Sequence, residues 1–179
     1  MFVRFVLLLG ALAGCSANPP SMTLDPLFAF EDPLRCEKSP QFAALLDSAL
    51  VFDELPAPDA ANEIFRGRLG QLDTPEAYRG RFGDPALTVD RSTYTAEIPV
   101  GGTWHGARLD RLVVVQTVES EGGFYLVFDE PKQRVVEAAN RAGFALPENG
   151  TVYRDTEIMG LAIDVGDYDG KTALSCFDM

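Results

Sequence analysis

The residues with the most chemical potential in this chain are a lone histidine, a run of aspartates and two pairs of arginines. Trp104-His105-Gly106 brings together the sole tryptophan and the sole histidine. An imidazole beside an aromatic ring can serve as a general base or as a ring in a binding groove. Successive residues of a strand point to opposite faces, so the two side chains are expected not to share a pocket. No Gly-x-Ser-x-Gly elbow, His-Glu-x-x-His helix or phosphate-binding loop occurs to supply catalytic partners, which favours a structural role for the pair. Asp164, Asp167 and Asp169, followed by Gly170, suggest a calcium loop. They lack the regular acid spacing and the bidentate glutamate of such loops, and Asp-Gly equally suits a hairpin turn.

Phe65-Arg66-Gly67-Arg68-Leu69-Gly70 recurs as Tyr78-Arg79-Gly80-Arg81-Phe82-Gly83. Thr74-Pro75-Glu76 before the second copy reads as a cap and first helical turn, and Asp59 and Glu63 can play similar parts before the first. Both copies are therefore expected to end short helices. Arg66, Arg68, Arg79 and Arg81, with Arg91 nearby, form a basic island on an acidic chain. One reading is a clamp for a carboxylate or phosphate, which guanidinium groups bind bidentately; the other is two charged helix ends. A pair of carboxylates for sugar hydrolysis has no sequence signature here, so no catalytic residue, cofactor or metal ligand is assigned.

Met1 to Arg4 carry one positive charge, and Phe5 to Gly14 are apolar and small. That run is too short to span a bilayer and fits a signal peptide. Leu12-Ala13-Gly14-Cys15 resembles the lipobox of bacterial lipoproteins. The resemblance implies that residues 1–14 are removed and that Cys15 is diacylglycerylated and acylated, anchoring the chain to a membrane. In Gram-negative lipoproteins an Asp after the cysteine marks retention in the inner membrane, so Ser16 implies the outer membrane, facing the periplasm. With Cys15 lipidated, Cys36 and Cys176 remain as an even pair in an oxidising compartment and are expected to form a disulfide.

Loss of residues 1–14 removes Arg4 from 15 basic residues and nothing from 27 acidic ones, so the formal charge moves from −12 to −13. Such acidity argues against nucleic acid and against a polybasic membrane footprint. It is compatible with a basic protein partner in the envelope.

Residues 15–34, with Pro19, Pro20, Pro26 and Pro33, read as a lipidated N-terminus and extended tether, although Phe28 and Phe30 are out of place there. Residues 35–179 read as one domain. Ser39 and Pro40 open a helix with Phe42, Leu45, Leu46, Ala49 and Leu50 along one stripe, ending near Asp53. Thr93 to Val100 reads as a strand ending in a Gly101-Gly102 turn. A second β region from Thr103 to Val118 is expected to bend or split at Gly106, and Phe124 to Phe128 is the next strand. Asp129-Glu130-Pro131 opens a second helix, closed by Gly143. Thr151 to Ile158, Gly160 to Val165 and Thr172 to Phe177 complete the strands, with 166–170 as a loop. Strands in runs predict an α+β fold, a mainly antiparallel sheet of about five to seven strands with helices packed on one face. The function implied is a membrane-anchored, non-enzymatic binding or assembly module. The alternatives are a binder of an anionic or wall-derived ligand through the arginines and a cell-wall hydrolase.

Overall fold

The structure is a computed structural model that describes residues 22–54, 65–117, 122–155 and 160–178. Cys15 and residues 1–21 lie outside the described residues, as do Asp59 and Glu63. The chain forms a single, mainly β domain around a seven-stranded antiparallel sheet. With only three α-helices among the described residues, of ten, four and ten residues, it is less helical than the α+β reading expected.

The stretch read as a tether is folded from residue 22. Leu24, Leu27 and Phe28 are fully buried, so the segment is a strap of the core rather than a linker. The reason is composition: between the prolines stand large apolar side chains whose burial is worth about 2 kcal/mol each. The strap runs into β1 (Phe30–Asp32) and a 3-10 turn at Pro33–Arg35. It pairs back as β2 (Glu37–Lys38).

Helix α1 (Pro40–Ala49) begins as its sequence dictates. Pro40 takes the first position and Ser39 Oγ accepts the Phe42 N–H at 3.3 Å. It ends at Ala49, four residues before Asp53. Leu50-Val51-Phe52 turn extended as β3 (Leu50–Glu54), which pairs antiparallel with β4 (Phe65–Leu69). The first arginine copy is thus a strand. Only the second ends a helix, α2 (Glu76–Arg79).

The main sheet follows: β5 (Ala86–Asp90), β6 (Thr93–Trp104), β7 (Ala107–Thr117) and β8 (Gly123–Phe128) as a meander. Helix α3 (Lys132–Arg141) comes next, then β9 (Thr151–Asp155), β10 (Gly160–Tyr168) and β11 (Lys171–Asp178). Their order across the sheet is β5-β6-β7-β8-β11-β10-β9. Gly101-Gly102 does not turn the chain. Both lie inside β6 at a register shift between Pro99 and Gly102, and the reversal comes at His105-Gly106, where φ is 44° and 80°. The second glycine is demanded by the strap, because a Cβ on Gly102 would stand 2.7 Å from Leu24 Cδ1. The expected 166–170 loop is shorter as well: β10 continues to Tyr168, and Asp169-Gly170, with φ 51° and 75°, make a two-residue turn onto Lys171.

Alternation along the strands separates two cores. Tyr94, Ile98, Leu112, Phe124, Leu126, Ile163 and Leu174 join Phe42, Leu45, Val135 and Ala139 with the strap in one cluster. The opposite parity gives Val113, Val127 and Ala173, flanked by Val115, Tyr125 and Tyr168, a smaller cluster built from strands alone.

Candidate functional site

The strand-only face is finished by a polar lattice. Tyr168 Oη stands 3.2 Å from Glu97 Oε1, although their strands are four steps apart in the sheet order. On a flat sheet that separation would be about 19 Å, so the sheet curls with this face concave. Arg111 donates to Glu97 at 2.7 Å and to Asp110 at 2.9 Å, and Lys171 Nζ donates to Asp110 at 2.7 Å. Together with Asp84, Ala86 and Pro99 these charged groups line a recess of about 300 Å³.

The lattice shifts its members' titration. Burial is the largest influence on Asp110 and pushes its carboxyl up, yet the hydrogen bonds and charges of Lys171 and Arg111 together bring it below the usual range. Hydrogen bonds to Glu97, then Asp110, hold Arg111 more firmly protonated. Burial, then the charge of Glu97, pushes Tyr168 up to about 12, and burial raises Tyr125. A phenol so shifted donates a hydrogen bond at neutral pH. Two cations face two carboxylates, a balanced clamp across the curl. The sequence reading missed all five residues. The one available signal was Glu97, the single charge within β6.

The residues singled out in the sequence fall elsewhere. Trp104 is fully buried and its Nε1 donates to Phe28 O at 3.1 Å. Contrary to the expectation from strand alternation, the Trp104 and His105 rings meet edge to face at 4.8 Å, because His105 has left the strand for the left-handed region. The His105 N–H donates to Asp25 Oδ1 at 2.5 Å, its Nδ1 lies 3.9 Å from Asp25 Oδ2, and its carbonyl accepts from Arg141 Nε at 2.8 Å. Those contacts fasten the β6–β7 turn to the strap and to α3.

The aspartates do not converge. Asp164 accepts the Thr151 hydroxyl at 2.5 Å, and Asp167 accepts the Gly170 N–H at 3.3 Å within the turn. No group of three or more His, Cys, Asp or Glu among the described residues is placed to hold a metal. The arginine island is divided. On β4, Arg68 is ion-paired with Asp53, and Gly67 lies against the Tyr94 ring at the start of β6. Arg81 instead lies at the far end of β6, where its carbonyl accepts the Gly101 N–H at 2.8 Å. Seven residues of strand, about 23 Å, separate those anchoring points, so Arg66 and Arg68 do not join Arg79 and Arg81 around one small anion.

Cys36 and Cys176 stand at disulfide distance, with Cα atoms 6.4 Å apart and 140 residues between them in sequence. Among the described residues no helix is long and apolar enough to cross a membrane. The chain matches no protein-family model, no curated protein and no solved structure.

Proposed function

We propose that this chain is a lipid-anchored envelope protein, held to a membrane through Cys15, whose domain is a binding or assembly module rather than an enzyme. The observation that carries the reading is the combination at the N-terminus. A lipobox-like Leu12-Ala13-Gly14-Cys15 stands seven residues before Met22, the first described residue, and the two remaining cysteines are at disulfide distance. Such an arrangement suits an oxidising compartment and a domain kept close to its anchor. Helices α1 and α3 belong to one face of the sheet and leave the concave face to a partner. Tyr153, Ala162 and Phe177 share one cross-strand row on that side, and Tyr153 is 69% exposed. An exposed tyrosine in a cross-strand row is the type of side chain that anchors protein interfaces.

The test has two parts. Radiolabelled palmitate should enter the wild-type protein and not Cys15→Ser; equal labelling removes the anchor. Cross-linked pull-down from envelope extract should retain a stoichiometric partner that Tyr153→Ser releases without a change in melting temperature. Partner retention unchanged by Tyr153→Ser moves the interface off this row.

A further inference from the structure

Strand β9 offers an unpaired edge beside an exposed aromatic side chain. It ends the order β5-β6-β7-β8-β11-β10-β9, so its far side meets no strand among the described residues. Its backbone phase follows from one bond. The Val165 N–H donates to Gly150 O at 2.9 Å, and Thr151 stands opposite Asp164. Hydrogen-bonded pairs alternate along an antiparallel ladder, so Val152 and Arg154 turn their N–H and C=O groups towards β10, while Thr151, Tyr153 and Asp155 turn theirs outward. Asn149 Oδ1 accepts the Thr151 N–H at 3.2 Å. The Tyr153 N–H and C=O have no such partner among the described residues, and its side chain is 69% exposed. Natural sheet edges are commonly guarded by proline or lysine, and neither occurs in Thr151–Asp155.

That edge is complementary to itself. Set antiparallel about a two-fold axis at Tyr153, two β9 strands exchange the Tyr153 N–H and C=O of one copy with those of the other, and each Asp155 N–H meets the opposite Thr151 C=O. Tyr153 then stands beside Tyr153 as an aromatic cross-strand pair, and the aliphatic stem of Arg154 lies opposite Val152. No like charges stand opposite one another. Arg154 is itself turned towards its own domain, where its Nη2 donates to Phe144 O at 2.9 Å. The neighbouring registers are poorer. Slipped two residues one way, Arg154 faces Arg154; slipped the other way, the Tyr153 C=O faces the Thr151 N–H that Asn149 already holds.

We infer that two copies of this chain join through β9 in that register, extending the seven-stranded sheet of each into one continuous sheet. The inference rests on the reading of the Tyr153 row as an interface, and it names the partner. The concave faces then run on from copy to copy, with Tyr153, Ala162 and Phe177 of both on the same side. Five residues a side make a small contact beside a stable interface, which buries about 1,000 Å² or more. Copies anchored in one membrane meet at a raised effective concentration, which offsets that smallness. The negative charge of each copy opposes approach at long range and is screened beyond about 8 Å at physiological salt.

Thr151→Cys and Asp155→Cys variants of the full chain, carrying different epitope tags, are expressed together and oxidised in the intact envelope. In the paired register residue 151 of one copy and residue 155 of the other form a hydrogen-bonded pair with Cα atoms about 5.5 Å apart, a span that a disulfide bridges. Like positions are out of step along the strands by more than about 13 Å. A dimer carrying both tags should therefore form, while each variant alone stays monomeric. Adding Tyr153→Pro to both, which removes the outward N–H and spares the bonds to β10, should abolish it. With thermal melts that match wild type, a mixed dimer that is absent, or no more abundant than the dimers of either variant alone, overturns the pairing. A benzoylphenylalanine in place of Tyr153 tests the same contact without added cysteines. Irradiation should join two copies, with the adduct inside residues 151–155. An adduct on a different protein overturns the second copy and leaves Tyr153 as an interface; no intermolecular adduct overturns both.

Discussion

At the scale of single residues, the lattice on the concave face makes the sharpest predictions. The Tyr168 phenol is raised to about 12 from an ordinary value near 10. A raised acid favours its neutral form in the fold, so the stability it contributes is fully present below about pH 10 and is lost as pH rises towards 12. Phenolate absorbance should therefore show at least one of the five tyrosines titrating late, and Tyr168→Phe should remove that late step. Asp110 has the opposite sign. Its lowered carboxyl adds stability above the unfolded value near 3.9, and that stability is lost as pH falls through the folded value. Lys171→Met should weaken this acid-side dependence and lower stability by about 1 kcal/mol at neutral pH, as read by urea titration at two pH values. The pairing is not legible in the sequence, because Tyr168 and Glu97 are 71 residues apart and meet only through the curl.

At the scale of elements, local signals serve well where an element is decided locally. Ser39-Pro40 begins α1, Pro131 precedes α3, and the alternation Leu161, Ile163, Val165 marks β10. They fail where a distant element decides. Gly101-Gly102 has the composition of a turn, yet the second glycine is needed because Leu24 occupies the space of its Cβ. The near-repeat of arginines becomes a strand once and a helix end once, because the first copy pairs along five residues with β3 whereas the second makes only an isolated bridge to β6 at Phe82. The strap is the largest such case. Leu24→Ala and Phe28→Ala should each lower stability by about 3 kcal/mol or more, the cost of a core cavity, measured as a shift in denaturant midpoint. A true tether would tolerate both changes. At the β10–β11 turn, Gly170→Ala should cost about 1 kcal/mol, since φ is 75° there.

At the scale of the whole molecule, the strap crosses the core from one end of the sheet to the other. It is held by backbone hydrogen bonds of Met22 and Leu24 to Thr103 at one end and by Cys36 against Cys176 at the other. Closing 140 residues constrains the unfolded chain strongly, with an upper value of about 5 kcal/mol. Reduction, or Cys36→Ser with Cys176→Ser, should lower the unfolding free energy by a large part of that amount and leave the native circular dichroism spectrum in place. The even cysteine pair made this link legible in the sequence once Cys15 was set aside. The nearness of Met22 to Arg81 was not, because the two are neighbours only on the edge of β6.

The strap also imposes an order of events in time. Its apolar side chains are made first, but the strands that bury them come later, and Cys36 cannot pair until Cys176 has emerged. A chain exported from its N-terminus would thus hold residues 22–36 unfolded until the sheet is nearly complete, with contacts of long sequence separation making that closure slow. On the proposed lipid-anchor reading, attachment at Cys15 would precede closure of residues 22–36 into the core.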